Sequence, residues 1–298
     1  MSNRDIAVII PVYNAGKTIL RALDSVFRQT LSPAEVIIVN DGSTDDSVEV
    51  INSSKYKRFV SIISISNSGP SNARNVGIKA SKSEFIALID ADDEWIFEDK
   101  LKQQVALIES SKEIVLVDTF AKVYWGENKI LDMTCVKSGR VFNKLLFKNI
   151  VNATSSVLIK RSAIKQAGYF DTSIRFGEDR LLWAFLAKIG EFSTLKEFTV
   201  YKENHDLNLT SKGQENYRYR KIMVNKLLSQ CNLSPNEVAK VQLANCEDFL
   251  LLAYRKRNAK LYRNLTQQVF SVAPMSFIFS RFSILYISSF FFKFLPKR

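Results

Sequence analysis

Cysteine is scarce in this sequence. Cys135, Cys231 and Cys246 are the only three in 298 residues, and none belongs to a CxxC pair. That excludes a disulfide scaffold and a structural zinc site, and it fits a reducing compartment. Glycine-rich phosphate loops are missing too: there is neither a GxGxxG after the first apolar run nor a GxxxxGK[ST] anywhere. A standard dinucleotide pocket and a P-loop are thereby excluded. The first apolar run, Ile6 to Ile10, is too short and too poorly flanked for a signal peptide, so a cytosolic site of synthesis is expected. Internal repeats and low-complexity linkers are absent. Acidic residues disappear toward the end, with nine basic residues and no acid from Phe249 to Arg298.

What is present suits a globular chain, with 46% hydrophobic and 24% charged residues. The net charge of +12 is uneven. From Tyr201 onward there are 16 Lys/Arg against 6 Asp/Glu, so the first 200 residues carry only +2. The asymmetry divides the chain into a nearly neutral part and a basic part.

The nearly neutral part alternates strand and helix patterns. Ile6 to Val12, Glu35 to Asp41, Val60 to Ile65, Phe85 to Asp90 and Ile114 to Phe120 read as strands, mostly buried on both faces. Helical patterns from about Lys17 to Gln29, from Asp45, from Ser71 to Ala80 and from Glu98 to Ser110 separate them. Short connections between such elements imply an α/β fold, a doubly wound, mostly parallel sheet with right-handed crossovers. Ligands bind such sheets at the carboxyl ends of the strands. Polar residues gather there: Tyr13 and Asn14, Asp41, Asn67, and the acids Asp90, Asp92 and Asp93. Three carboxylates at one strand tip repel each other and contribute no packing. A hard divalent cation relieves that, commonly using one or two carboxylates while substrate phosphates fill other positions; a solvated acidic loop is the plainer alternative.

Beyond residue 121 the alternation fades. Lys122 to Val136 reads as a polar hairpin, Gly139 to Asn149 as a short helix and Asn152 to Ile159 as a mixed-sheet strand. Gly177 precedes a helix through Ile189, which puts Glu178 and Asp179 in its first turn, where acids also favour the helix dipole. Helices are expected from Asn216 onward and from Pro235.

Five segments taken together, Pro11-Val-Tyr-Asn14, Asn40-Asp-Gly-Ser-Thr-Asp45, Ala73-Arg-Asn75, Asp90-Ala-Asp-Asp93 and Gly177-Glu-Asp179, resemble the family 2 glycosyltransferases of GT-A fold over roughly the first 210 residues. The resemblance implies a catalytic domain over 1–210, with a nucleotide-binding half to about 120 and an acceptor half from 121. A helical, basic and apolar extension would follow over 211–298. It implies that Tyr13 stacks on the nucleotide base, that Asp41 accepts a hydrogen bond from a ring N–H, and that Pro11, Asn14, Asn67 and Arg74 complete the donor site. Asp90 would lie near the ribose. Asp92 would bind Mn²⁺ or Mg²⁺, supported by Asp93, and His205 is a third candidate ligand. Asp179 would be the general base, with Glu178 beside it. Residues 122–148, together with Asn152, Thr154 and Ser155, would help form the acceptor side.

The chemistry independently suits these residue types. A metal acts as a Lewis acid on a leaving diphosphate, and a carboxylate takes the proton of an attacking sugar hydroxyl. One base and one metal without a protein nucleophile imply a single displacement with inversion. The QxxRW motif of the family's processive polysaccharide synthases and their multiple spanning helices are absent, which implies one sugar per acceptor. The resemblance implies a nucleotide-sugar donor, a UDP-sugar first of all, and a saccharide or lipid-linked saccharide acceptor. Two other classes share parts of this pattern. A nucleotide-sugar-forming nucleotidyltransferase has a Gly-rich basic N-terminal loop, which Tyr13-Asn-Ala-Gly16 is not. A non-catalytic sugar- or membrane-binding module has no use for both Asp92 and Asp179.

Phe277 to Phe292 is apolar and rich in phenylalanine, and its longest uncharged piece, Phe282 to Phe292, has 11 residues. That is well short of the ~20 that span a bilayer. Apolar aromatics among lysines and arginines suit a segment lying on an anionic membrane; a helix packed on the catalytic domain is the alternative. No nucleic-acid motif accompanies the charge. A cytoplasmic enzyme held peripherally at the membrane is therefore expected.

Overall fold

The computed structural model describes residues 5–125, 129–204, 213–255, 263–264 and 266–267. His205 and the apolar segment 277–298, both singled out above, lie outside the described residues. The chain falls into two compact units, one of Met1–Leu145 with Asn149–His205 and the other of Leu146–Lys148 with Asp206–Arg298.

The first unit is built on one twisted sheet. Its strands are β1 (Ile6–Val12), β2 (Glu35–Asp41), β3 (Ser61–Ile65), β4 (Phe85–Leu88), β5 (Glu94–Trp95), β6 (Ile114–Trp125), β7 (Lys129–Met133), β8 (Ser138–Gly139), β9 (Leu158–Lys160) and β10 (Glu191–Asn204). The order across the sheet is β3-β2-β1-β4-β9-β6-β10-β5, with β7 on β6 and β8 on β10. Strands β3, β2, β1 and β4 run parallel, as do β6 and β10, and β9 lies antiparallel between the two blocks. The parallel α/β expectation holds, and β9 completes it as a mixed sheet.

Burial explains the two periodicities. Ile6, Val8 and Ile10 face one side of β1 and Ala7 and Ile9 the other, and all five are inaccessible to solvent. A strand covered on both faces needs an unbroken apolar run. Helix α1 (Ile19–Phe27) instead buries Ile19, Ala22, Leu23 and Val26, a stripe one helical turn apart. Helix α3 (Pro70–Ala80) starts with Pro70 at its first position, where the missing N–H costs nothing. It lies so close to β1 that a Cβ at Gly77 would meet Ile9 Cγ2 at 2.5 Å. That approach sets where Arg74, one turn earlier, emerges.

Helices α2 (Ser47–Ser53) and α4 (Lys100–Glu109) complete the first half. The second half contains α5 (Phe142–Phe147), α6 (Arg161–Ala167) and α7 (Glu178–Ile189). Two expectations change there. Asn152 to Ile159 is a strand only from Leu158, because Thr154–Ser156 form a 3-10 turn. The polar hairpin exists as β6 against β7, but β6 reaches Trp125 because the 14-residue β10, absent from the sequence reading, pairs with it in parallel.

Of the second unit, α8 (Gly213–Leu228) and α9 (Pro235–Arg255) are the long helices. Met223, Leu227 and Leu250 are buried there, and Tyr217 meets Phe249 edge-on. No helix among the described residues is long and apolar enough to cross a membrane.

Candidate active site

A cleft of about 870 Å³ opens at the carboxyl ends of β1, β2 and β4. Pro11, Tyr13, Asn14, Asp41, Asn67, Arg74, Asp90 and Asp92 all line it. The structure thus gathers every donor-site candidate named from the sequence, together with one of the three metal candidates.

Two loops shape one side of the cleft. Asn14 has φ 51°; its N–H donates to Ser43 Oγ (3.1 Å) and its Oδ1 accepts from the N–H of Thr44 (2.8 Å). The turn after β1 is therefore bolted to the turn after β2, and Asn14 serves the frame as well as the cleft. Asp41 is buried, and its two oxygens accept from the backbone N–H groups of Ser68 and Gly69, both at 2.8 Å. It anchors the loop that begins α3. A carboxylate has about four acceptor sites, so capacity remains for a ligand N–H. Gly42 follows with φ 70°, and a Cβ there would come within 2.8 Å of Asn67 N. Only glycine allows this crossing. Tyr13, at 53% exposure, presents its ring at the cleft.

The opposite side carries the charge. Arg74 is nearly inaccessible on α3. Its Nη2 donates to Asp90 Oδ1 (2.6 Å), and its Nη1 lies 3.6 Å from Glu178 Oε1. One guanidinium thus joins the acid loop to the first turn of α7. Burial opposes ionisation of Asp90, but Arg74 and Lys202 outweigh it and hold the carboxyl at about 2. Glu178 behaves oppositely: burial and the neighbouring Asp179 push it up to about 7, and Arg74 offsets only part of that. Asp179 accepts at Oδ2 from Asn149 Nδ2 (3.0 Å). Gly177, at φ 84°, turns the chain into α7 so that both acids sit at its start.

Asp93 departs from expectation. It is fully buried and does not line the cleft. Its Oδ2 accepts from Ser155 Oγ (2.5 Å) and from Lys202 Nζ (3.4 Å), while its Oδ1 has no hydrogen-bond partner. Burial lifts its pKa to about 7 despite Lys202. Asp93 supports the loop from within instead of reaching a metal in the cleft. Ser155 also accepts from the N–H of Asp90 (3.0 Å), and its carbonyl accepts from Trp95 Nε1 (2.8 Å).

A divalent ion fits this donor set in a restricted way. Among the described residues no three metal-ligating side chains converge. Asp92 and Asp90 do line the cleft, and Asp90 is shared with Arg74 and Lys202. The protein therefore offers one or two carboxylates, which suits an ion whose remaining positions are filled by a bound diphosphate and water.

The acceptor-side expectations are partly overturned. Asn152 and Ser155 are buried. Asn152 bonds to Cys135 N, Cys135 O and Thr119 O, bracing an interior ion pair between Lys137 and Asp118. These side chains hold the frame and do not present themselves to a saccharide. Sequence reasoning missed Asn149 and Lys202. Nothing local marks them, since one lies in a loop and the other reaches the acids only through the register of β10.

A profile of the family described as "Glycosyl transferase family 2" matches residues 7–168. Over 180 residues the chain is 34% identical to an uncharacterized glycosyltransferase of Rickettsia bellii, covering 60% of this chain and 26% of that protein. In an alignment also of 180 residues it is 28% identical to the Escherichia coli UDP-Glc:alpha-D-GlcNAc-diphosphoundecaprenol beta-1,3-glucosyltransferase WfaP, covering 60% of this chain and 68% of that protein. The match thus spans only about a quarter of the rickettsial relative's length. Among solved structures, S. aureus TarS 1-349 in complex with UDP-GlcNAc superposes with a TM-score of 0.66 at 19% identity, over 97% of this chain and 87% of TarS. At that identity the likeness speaks for the GT-A fold alone.

Proposed function

The chain belongs to glycosyl transferase family 2, and on that premise we propose that it transfers one sugar, with inversion, from a nucleoside-diphosphate sugar to a hydroxyl of a saccharide or lipid-linked saccharide. The observation that carries this reading is the bridge from Arg74 to both Asp90 and Glu178. It ties the acid loop that lines the cleft to the helix start that carries Glu178 and Asp179, and that connection supports the reading. A UDP-sugar is the first candidate donor, in keeping with the names of WfaP and the TarS complex, and WfaP also supports a lipid-linked acceptor.

In the proposed reaction Tyr13 stacks on the base and Asp41 accepts a base N–H. Arg74 keeps Asp90 ionised beside the ribose. Asp92, with Asp90, is the residue that would hold Mn²⁺ or Mg²⁺, which when bound neutralises charge on the leaving diphosphate. Asp179, oriented by Asn149, takes the proton of the acceptor hydroxyl as its oxygen bonds to the anomeric carbon. The anomeric carbon–oxygen bond to the diphosphate breaks, and the electron pair leaves with the nucleotide. Glu178, seated against Arg74, positions that guanidinium. The 211–298 extension, through its apolar and basic end, is proposed to rest on an anionic cytoplasmic membrane surface where a lipid-linked acceptor would lie.

Calorimetric titration with UDP, GDP, TDP and CMP, each with and without Mn²⁺, tests the donor site. One nucleotide should bind more tightly with Mn²⁺ than without it, and Asp92→Asn should abolish that metal-dependent binding; no binding by any of the four refutes the reading. Deleting residues 277–298 should abolish co-sedimentation with anionic vesicles, and unchanged co-sedimentation removes the membrane role.

A further inference from the structure

Lys202 lies among the acids of the loop between β4 and β5, yet no motif in the sequence points to it. Its Nζ is 3.4 Å from Asp93 Oδ2 and 3.6 Å from Asp90 Oδ2. The backbone imposes this meeting. Strand β5 follows the acid loop directly and pairs antiparallel with β10, Trp95 opposite Val200 and Glu94 opposite Tyr201. Side chains alternate along β10, so Tyr201 stacks on Tyr124 while Lys202 points the other way, into the acids. On Asp90 it faces Arg74, and on Asp93 it faces Ser155.

We propose that Lys202 is a positioning residue, the built-in cation of the acid cluster, which shares Asp90 and Asp93 and thereby keeps the protein alone a weak divalent-metal site. The inference rests on the donor-cleft reading above. With Lys202 present, Asp90 and Asp93 already share a cation, and the cluster is a poor cage for a second one. Metal would then enter together with the nucleoside diphosphate, whose phosphates supply the missing ligands. Two like charges at close range in a partly screened site oppose each other strongly, so removing the ammonium should strengthen metal binding and weaken metal-free diphosphate binding.

The test measures Mn²⁺ binding alone by electron paramagnetic resonance, and UDP binding by calorimetry with and without Mn²⁺. It compares the full-length protein with Lys202→Met, Lys202→Arg and Asp93→Asn. Lys202→Met should bind Mn²⁺ alone ~10-fold or more tightly and lose metal-free UDP binding. Lys202→Arg, which keeps the charge, should behave as the native protein. Asp93→Asn should shift both affinities in the opposite direction, and it decides the matter if Lys202→Met does not fold. Mn²⁺ affinity in Lys202→Met or Asp93→Asn within about twofold of native, in a protein whose UDP binding is still strengthened by metal, overturns the role of Lys202 alone. Absence of any metal-dependent UDP binding in the native protein instead strikes the donor-cleft reading.

Discussion

The two acidic loops of the cleft use the same residue for different purposes. After β2, Asp41 spends both oxygens on backbone N–H groups, and Asp45 accepts from Gly16 N and Ser47. These carboxylates satisfy neutral donors, so they cap turns and fix loop shape. After β4, Asp90 and Asp93 face Arg74 and Lys202. There, charge answers charge in a buried setting, and removing one partner leaves another uncompensated. Acids that hold loops are scaffold; acids that hold cations are poised for a charged ligand. The sequence alone shows both as strand-end aspartates.

Several substitutions sharpen this contrast. The largest effect is expected on the charged side, at the acid beside the arginine bridge. Asp179→Asn should lower kcat by ~10²–10⁴ while donor binding stays close to native; near-normal turnover would show that the base lies elsewhere. On the scaffold side, Asp41→Ala should act on stability before affinity. It leaves two backbone N–H groups without their acceptor, at ~1–3 kcal/mol for each group that stays buried, and thermal melts should report a lower Tm. If Asp41→Ala kept the native Tm and lost only nucleotide binding, the scaffold role would be wrong. The smallest effect concerns pH. The folded protein holds Glu178 at about 7, above its ordinary value of 4.5. Between those values the folded state binds more protons than the unfolded chain. Its contribution is thus complete below about 4.5 and is lost as pH rises through about 7. Glu178→Gln should flatten the decline of Tm between pH 5 and pH 8 to a measurable degree, and an unchanged slope would remove the assignment.

Legibility followed how locally each residue was determined. The first half was readable because β1, α1, β2, α3 and β4 are short, alternate in chain order and place their polar residues at strand ends. Pro11, Tyr13, Asn14, Asp41, Asn67, Arg74, Asp90 and Asp92 therefore reach one cleft. Asp93 was read as a metal residue because it adjoins Asp92. Its side chain nevertheless turns inward, as the next position in a tight turn before β5 does. For Asn152 and Ser155 the resemblance implies an acceptor-side place, but the structure buries both. Their partners, Cys135, Thr119, Asp93 and Trp95, are 17, 33, 62 and 60 residues away, and no local pattern encodes such bonds.

By itself, the sequence determined the strand–helix alternation, the carboxyl-end placement of the acids and the family to which their order belongs. Burial on two faces and the strand and helix periodicities are written in which residues are apolar. Only the tertiary structure decided which acid meets which cation. The insertion of β9, the length of β10 and its register with β5 are long-range choices made by packing and backbone hydrogen bonding. Those choices bring Lys202 to Asp90 and Asp93, and they let one buried guanidinium connect Asp90 with Glu178.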